Sequence, residues 1–331
     1  MEKTGRLGIG KKILIGLWIL FFLGILSVFC LFNLISSGKI GYLPPIEELQ
    51  NPKNKYATEI YSCDMKVLGR YFASKENRVY TPYKDLSPYL IDALISTEDE
   101  RYFEHAGIDG RALLRVAFKT IILRQDAGGG STITQQLAKL LFTEKTASSK
   151  WERSKQKLTE WVIAVKLEKL YTKEEIVTMY FNKFDFLNNA VGIKSAAQIY
   201  FNKQPIDLNK EESALLVGML QNPTKYNPVR ERTKNASKER RNVVLSQMAN
   251  NQKITREECD SLAKLDIVLN YQKVDHKLGL APYFREYLRL KMTANQPDPK
   301  RYPKWMHQKY YEDSLAWHTD PLYGWCNKNT K

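Results

Sequence analysis

The sequence predicts a mainly α protein with a small β-hairpin region and one N-terminal transmembrane helix. Three observations carry this expectation: an uncharged apolar run over residues 13–35, helical patterning with repeated capping signals from Leu86 onward, and short β-leaning runs confined to residues 57–80. Of the 331 residues, 43% are hydrophobic and 26% charged, which suits a chain that buries a core in one or two domains and argues against disorder. The 51 Lys and Arg against 36 Asp and Glu leave a formal charge of +15. Such a balance suits an anionic partner: nucleic acid, anionic lipid or a phosphorylated substrate.

The first forty residues narrow that choice. Only Gly16, Gly24, Ser27 and Asn33 interrupt the apolar run of residues 13–35, which as a helix would be about 34 Å long, enough for a hydrocarbon core of roughly 30 Å. The run is longer than a signal-peptide core and Ser36-Ser37-Gly38 is a weak cleavage site, so it reads as an uncleaved anchor. Lys3, Arg6, Lys11 and Lys12 precede it and only Lys39 follows closely, which keeps the N-terminus cytoplasmic and exports residues 40–331. An exported basic domain beside a membrane is not placed to meet nucleic acid.

After the anchor, Gly41-Tyr42-Leu43-Pro44-Pro45 and Asn51-Pro52 read as an extended linker. Glu59-Ile60-Tyr61, residues 67–72 and Arg78-Val79-Tyr80 lean toward strand around a Cys63-Asp64-Met65-Lys66 turn. Ser87 is placed to cap a helix to about Glu98, and Asp109 one through Ile122. The spacings Thr172/Glu175, Asn209/Glu212 and Thr255/Glu258 are capping boxes that mark three later helix starts. Residues 151–170 form a long amphipathic helix with Leu158, Trp161, Val162, Val165 and Leu167 toward a core. Beyond Lys291 the chain turns to Pro, Trp, Tyr and charged residues without clear periodicity. The expected organisation is a cytoplasmic N-terminus (1–12), the anchor (13–35), a linker (36–56), one exported domain (57–290) and a linker or tail (291–331) toward a missing C-terminal domain.

Cys30 lies inside the apolar run, and Cys63, Cys259 and Cys326 have no metal-ligand spacing; the four histidines are equally scattered, so no metal site is expected from ligand spacing. Four segments carry chemistry instead. In residues 96–109 an apolar helix ends in a polar cluster containing Glu98, Asp99 and His105, and a carboxylate at such a mouth suits a general base. Residues 128–139, Gly-Gly-Gly-Ser-Thr-Ile-Thr-Gln-Gln-Leu-Ala-Lys, open a helix whose free N–H groups favour an anion, with Gln136 and Lys139 on one face. The Gly-Lys-Ser/Thr ending of a nucleotide P-loop is missing. Arg153, Lys157 and Glu160 lie near one another on the polar side of the 151–170 helix. The fourth segment runs through Tyr180-Phe181-Asn182, residues 191–201, 221–228 and 240–245, where Pro and Asn mainly set turns.

In this order and spacing the four segments closely resemble the family 51 peptidoglycan glycosyltransferases, the domain of class A penicillin-binding proteins and of monofunctional transglycosylases. The Glu98-Asp99 to His105-x-Gly107-Ile108-Asp109 block, followed by Gly-Gly-Ser-Thr-Ile-Thr-Gln-Gln-Leu-x-Lys, is the specific part. The resemblance covers roughly residues 57–290. It implies a lysozyme-like α-rich fold with a membrane-dipping subdomain, lipid II and the nascent glycan strand as partners, and contact with membrane lipids and other cell-wall synthesis proteins. It also implies Glu98 as general base with Asp99 beside it, and Glu160 as the second catalytic carboxylate. Asp99, His105, Ser131, Thr132, Gln136, Lys139, Arg153 and Lys157 would bind substrate. A divalent cation, Mg or Mn, at the pyrophosphate is the one cofactor this chemistry could use. Leu140, Tyr102 and Gln156 stand where the family usually has Asn, Phe and Arg, and the family usually has Gly near Leu187; Gln156 removes a cation beside Lys157, for which Arg153 one turn earlier can compensate.

Two other classes compete. A lysozyme-like glycan-cleaving enzyme also uses a carboxylic acid but needs neither a glycine-rich anion site nor an anchor. A catalytically silent membrane scaffold would not need Glu98 and Glu160. Ser36-x-x-Lys39, Ser154-x-x-Lys157 and Lys3-Thr4-Gly5 match transpeptidase fragments but fall in unsuitable places, so no acyl-enzyme with penicillin is expected.

Overall fold

The computed structural model describes residues 9–38, 43–50, 58–71, 78–119, 129–143, 149–272 and 280–329. Lys3, Arg6, Lys39, much of the expected linker, Phe72, Ile122 and Gly128 lie outside the described residues. The chain divides into two compact units, residues 1–54 with 80–271 and residues 55–79 with 272–331.

The larger unit begins with helix α1 (Ile9–Ser36), which includes a 27-residue stretch, Gly10–Ser36, long and apolar enough to cross a membrane. Most of its side chains are exposed, as suits a helix whose apolar surface can face lipid. Its C-terminal end differs. Ile35 is buried, and Phe32 stacks on Trp161 with ring centroids 6.3 Å apart. In the short helix α2 (Ile46–Gln50), Leu49 is buried and its carbonyl accepts a 2.7 Å bond from the Tyr171 hydroxyl.

Nine helices follow among the described residues: α3 (Pro88–Glu98), α4 (Gly110–Ala117), α5 (Ile133–Phe142), α6 (Lys150–Leu170), α7 (Lys173–Lys183), α8 (Ile193–Phe201), α9 (Lys210–Gln221), α10 (Glu231–Asn250) and α11 (Arg256–Lys264). All three capping boxes form reciprocally, at the starts of α7, α9 and α11. Asp109 accepts from the Ala112 amide at the start of α4. Ser87 does not cap α3: its hydroxyl donates to the Leu208 carbonyl at 2.8 Å, and Pro88, whose ring fixes a helical φ, opens the helix instead.

Helix α9 is the centre of this unit, since Ser213 through Leu220 are all buried. A helix buried all round must be covered on every side; α3 and α10 pack against it and against each other, while α5 packs on α6 and α7. The core face of α6 is Val162, Ile163, Ala164 and Leu167, with Leu158, Trp161 and Val165 only half-buried, so the face is turned from the expected one. Gly107 is required by its surroundings: its φ is +84°, and a Cβ there would lie 2.9 Å from the Ala164 backbone. Leu187 adopts φ 65°, a left-handed conformation that costs a leucine energy.

In the smaller unit, β1 (Thr58–Tyr61) and β2 (Val67–Tyr71) form the expected antiparallel hairpin, with a bulge between Ile60 and Tyr61. Arg78-Val79-Tyr80, expected to lean toward strand, is irregular. Helix α12 (Pro282–Met292) packs on β2, where the buried Arg285 side chain occupies the space over Gly69 that any Cβ would need. The stretch beyond Lys291, expected to be irregular, contains α13 (His307–Thr319) and α14 (Trp325–Asn329).

Candidate active site

Glu98 is the last residue of α3, so the chain leaves the helix as its carboxylate enters a cleft. Two polar partners meet it there. Gln136 on α5 donates from Nε2 to Glu98 Oε2 at 2.8 Å, and the Arg240 guanidinium on α10 lies 3.7 Å from Oε1. Gln136 Oε1 in turn accepts a 2.9 Å bond from the Tyr180 hydroxyl on α7. Burial, and secondarily the negative charge of Glu98, push the Tyr180 phenol well above its ordinary value.

Asp99 and His105 stand behind Glu98. One Asp99 oxygen pairs with His105 Nε2 at 2.9 Å, and the other accepts from the Ile133 amide at 3.1 Å. Thr132, the N-cap of α5, accepts from the Gln135 amide and donates to the Gly107 carbonyl at 2.8 Å; Gln135 Nε2 donates to the same carbonyl. The start of α5 was expected to offer free N–H groups to an external anion. At Ile133 and Gln135 those groups are satisfied internally, and the carboxylate nearest the positive end of the helix is Asp99. These contacts lock the α3 end, the 105–109 loop and the α5 start into one block.

The cations come from side chains. Lys157 Nζ bonds Ser131 Oγ at 2.7 Å and lies 3.3 Å from Oε2 of the buried Glu160, one turn along α6. Lys139 and Arg153 are exposed on the same cleft, whose walls also include Gln156, Leu140, Phe184 and Leu220. Its volume is about 830 Å³, room for sugar-sized groups as well as phosphates. A second cleft of about 300 Å³ shares Glu98 and Ser131 and is lined by Asp99, Arg101, Asp109, Arg115, Lys119 and Thr132. There Arg101 pairs with Asp109 at 2.6 Å. Burial opposes the Asp109 charge, but the Ala112 amide and Arg101 outweigh it and hold the carboxyl below its usual range.

Seven expected residues therefore meet in the larger cleft: Glu98, Ser131, Gln136, Lys139, Arg153, Lys157 and Glu160. Asp99 and Thr132 line the second, and His105 lines neither. Sequence reasoning missed Tyr180 and Arg240. Both stand in segments noted for other reasons, and nothing local links them to Glu98. Glu160 faces an ammonium, and among the described residues no three His, Cys, Asp or Glu side chains converge.

Residues 64–249 match the family model described as Transglycosylase. The chain is 31% identical to penicillin-binding protein 1A of Vibrio cholerae over 90% of its length and 34% of the relative's. It is 33% identical to that of Haemophilus influenzae (85% and 31%) and 32% identical to that of Escherichia coli (81% and 31%). The chain spans about a third of the length of these curated relatives. A crystal structure of the Haemophilus influenzae protein aligns over 73% of this chain and 24% of its own, with TM-score 0.38 and 24% identity.

Proposed function

This chain belongs to the transglycosylase family, the peptidoglycan glycosyltransferases of class A penicillin-binding proteins, and we propose that it polymerises lipid II into glycan strands outside the cytoplasmic membrane. The observation that carries the reading is that Glu98 is shared by two clefts, one lined by Ser131, Lys139, Arg153 and Lys157. Polymerisation holds two saccharides at once, one ending in a pyrophosphate, and a carboxylate between two subsites can act on the hydroxyl that joins them.

In the proposed step the acceptor sugar's 4-hydroxyl gives its proton to Glu98 as its oxygen attacks the anomeric carbon of the growing strand. The bond from that carbon to the pyrophosphate breaks, the electron pair leaves with the prenyl pyrophosphate, and attack from the opposite face inverts the centre. Negative charge grows on the leaving group, where Lys157, Lys139 and Arg153 are the available cations; preorganised charges of this kind lower a barrier by several kcal/mol. Glu160 holds the Lys157 ammonium in place. The apolar α1 would anchor the chain with residues 40–331 exported, bringing the clefts to the headgroups where prenyl-linked substrate resides.

Glu98→Gln keeps shape and polarity but cannot take a proton, so glycan formed from labelled lipid II in detergent is expected to fall by about 10²-fold or more. Near-normal polymerisation by that variant would remove Glu98 from its role.

A further inference from the structure

The two ends of a Gln amide have nearly the same shape, so packing alone does not decide which end of Gln136 faces Glu98. The neighbour on the other side does. Tyr180 is fully buried, and its hydroxyl meets Gln136 Oε1 at 2.9 Å. If Gln136 turned over, its NH2 would point at the phenol, the Tyr180 hydrogen would lose this acceptor, and an amide oxygen would face the Glu98 carboxylate. A buried donor left unpaired is costly, and the burial that keeps the phenol protonated fixes it as the donor. Bond direction thus runs from Tyr180 through Gln136 to Glu98 Oε2, ending on an acceptor.

From this geometry we propose that Tyr180 is a positioning residue of the glycosyltransferase, orienting the Gln136 amide so that an N–H donor rather than an oxygen faces the Glu98 carboxylate, which takes the sugar hydroxyl's proton. This rests on the reading of Glu98 as the base. Tyr180 itself need not touch substrate. Without its hydroxyl, Gln136 could present its oxygen to Glu98, an arrangement that suits only the protonated carboxyl and removes the base from use.

The groups facing Glu98 are Arg240 from α10 at 3.7 Å, Gln136 and Lys139 from α5, Lys157 and Glu160 from α6, Tyr180 from α7, Asp99 next to it in the chain, and, across the second cleft, Glu100, Arg101, Asp109, Arg115 and Lys119. All but the Tyr180 hydroxyl persist in Tyr180→Phe, so a change in pH dependence is assignable to that hydroxyl. The control is Tyr200→Phe, which removes another fully buried hydroxyl bond, to the Phe186 carbonyl at 2.6 Å, that does not connect to Glu98.

The test measures polymerisation of lipid II against pH, with melting temperatures, for the full chain and for Tyr180→Phe, Tyr200→Phe, Gln136→Met and the Tyr180→Phe/Gln136→Met pair. Tyr180→Phe is expected to lower kcat about 5- to 10-fold with KM within about twofold and to move the acid limb up by about one pH unit, the scale of one hydrogen bond. Tyr200→Phe is expected to lower the melting temperature comparably without moving the limb. Because Tyr180 acts through Gln136, its substitution is expected to add nothing to Gln136→Met. An unmoved acid limb in Tyr180→Phe, or an equal loss of kcat with and without Gln136→Met, would overturn the proposal. Glu98→Gln separates the two ideas: retained activity there ends the base assignment, whereas an inactive Glu98→Gln beside an unaffected Tyr180→Phe ends only the role of Tyr180.

Discussion

Lys157 is the cleft cation with the most defined setting, between Ser131 Oγ and Glu160, while Gln156 lines the same cleft without a charge. A leaving pyrophosphate carries more charge than one ammonium can balance, and a guanidinium offers it two parallel donors. Gln156→Arg is therefore expected to tighten donor binding and raise turnover by about 3- to 10-fold, the worth of about one charge-assisted hydrogen bond, read as kcat and KM for lipid II. An unchanged rate and affinity would mean that Lys139 and Arg153 already meet the charge demand. Glu98, Lys139, Lys157 and Glu160 were singled out by the resemblance, and the structure brings all four to one cleft. Tyr180 and Arg240 were not: they reach Glu98 only because α7 and α10 are folded against the helices that carry the motifs.

At the scale of elements, the second cleft depends on the start of α4, where Asp109 both caps the helix and pairs with Arg101. Its folded-state carboxyl titrates below the unfolded one, so it contributes stability that is present above about pH 4, the unfolded value, and is lost as pH falls through the folded value. Asp109→Asn keeps a good cap but neither titrates nor pairs with Arg101. Its melting temperature is expected to be lower than that of the parent at neutral pH, the two converging as the solution is acidified below pH 4. A gap that persists at low pH would place the effect in packing rather than charge. The capping boxes of α7, α9 and α11 were readable because each joins residues three apart. Ser87 misled because the same local pattern serves a hydroxyl whose acceptor, Leu208, lies far along the chain.

For the molecule as a whole, the decisive question is the side of the membrane. Helix α1 exposes its apolar length but buries Ile35 and stacks Phe32 on Trp161, beside Glu160 on α6, so the C-terminal end of α1 is packed against the helix that carries Lys157. A tag placed after Lys331 is expected to react with an impermeant reagent in intact spheroplasts, as the proposed export of residues 40–331 requires. Protection of the tag until the membrane is broken would end the reading of an external wall polymerase, whatever the motifs imply. A denatured control guards against a tag that is merely buried.

By itself the sequence determined the apolar N-terminal helix, the helical class, the hairpin and the capped starts of α4, α7, α9 and α11. Each depends on periodicity or on partners within a few residues, where local geometry is fixed by the backbone. Tertiary structure alone decided that Asp99 takes up the Ile133 amide at the start of α5, that α6 turns Ile163 and Ala164 inward, and that Tyr180, Gln136 and Arg240 surround Glu98. Those contacts join residues tens to more than a hundred positions apart. They follow from which helix faces pack together, α3 and α10 on α9 and α5 on α6 and α7, and buried polar groups must then find partners among whatever that packing brings within reach.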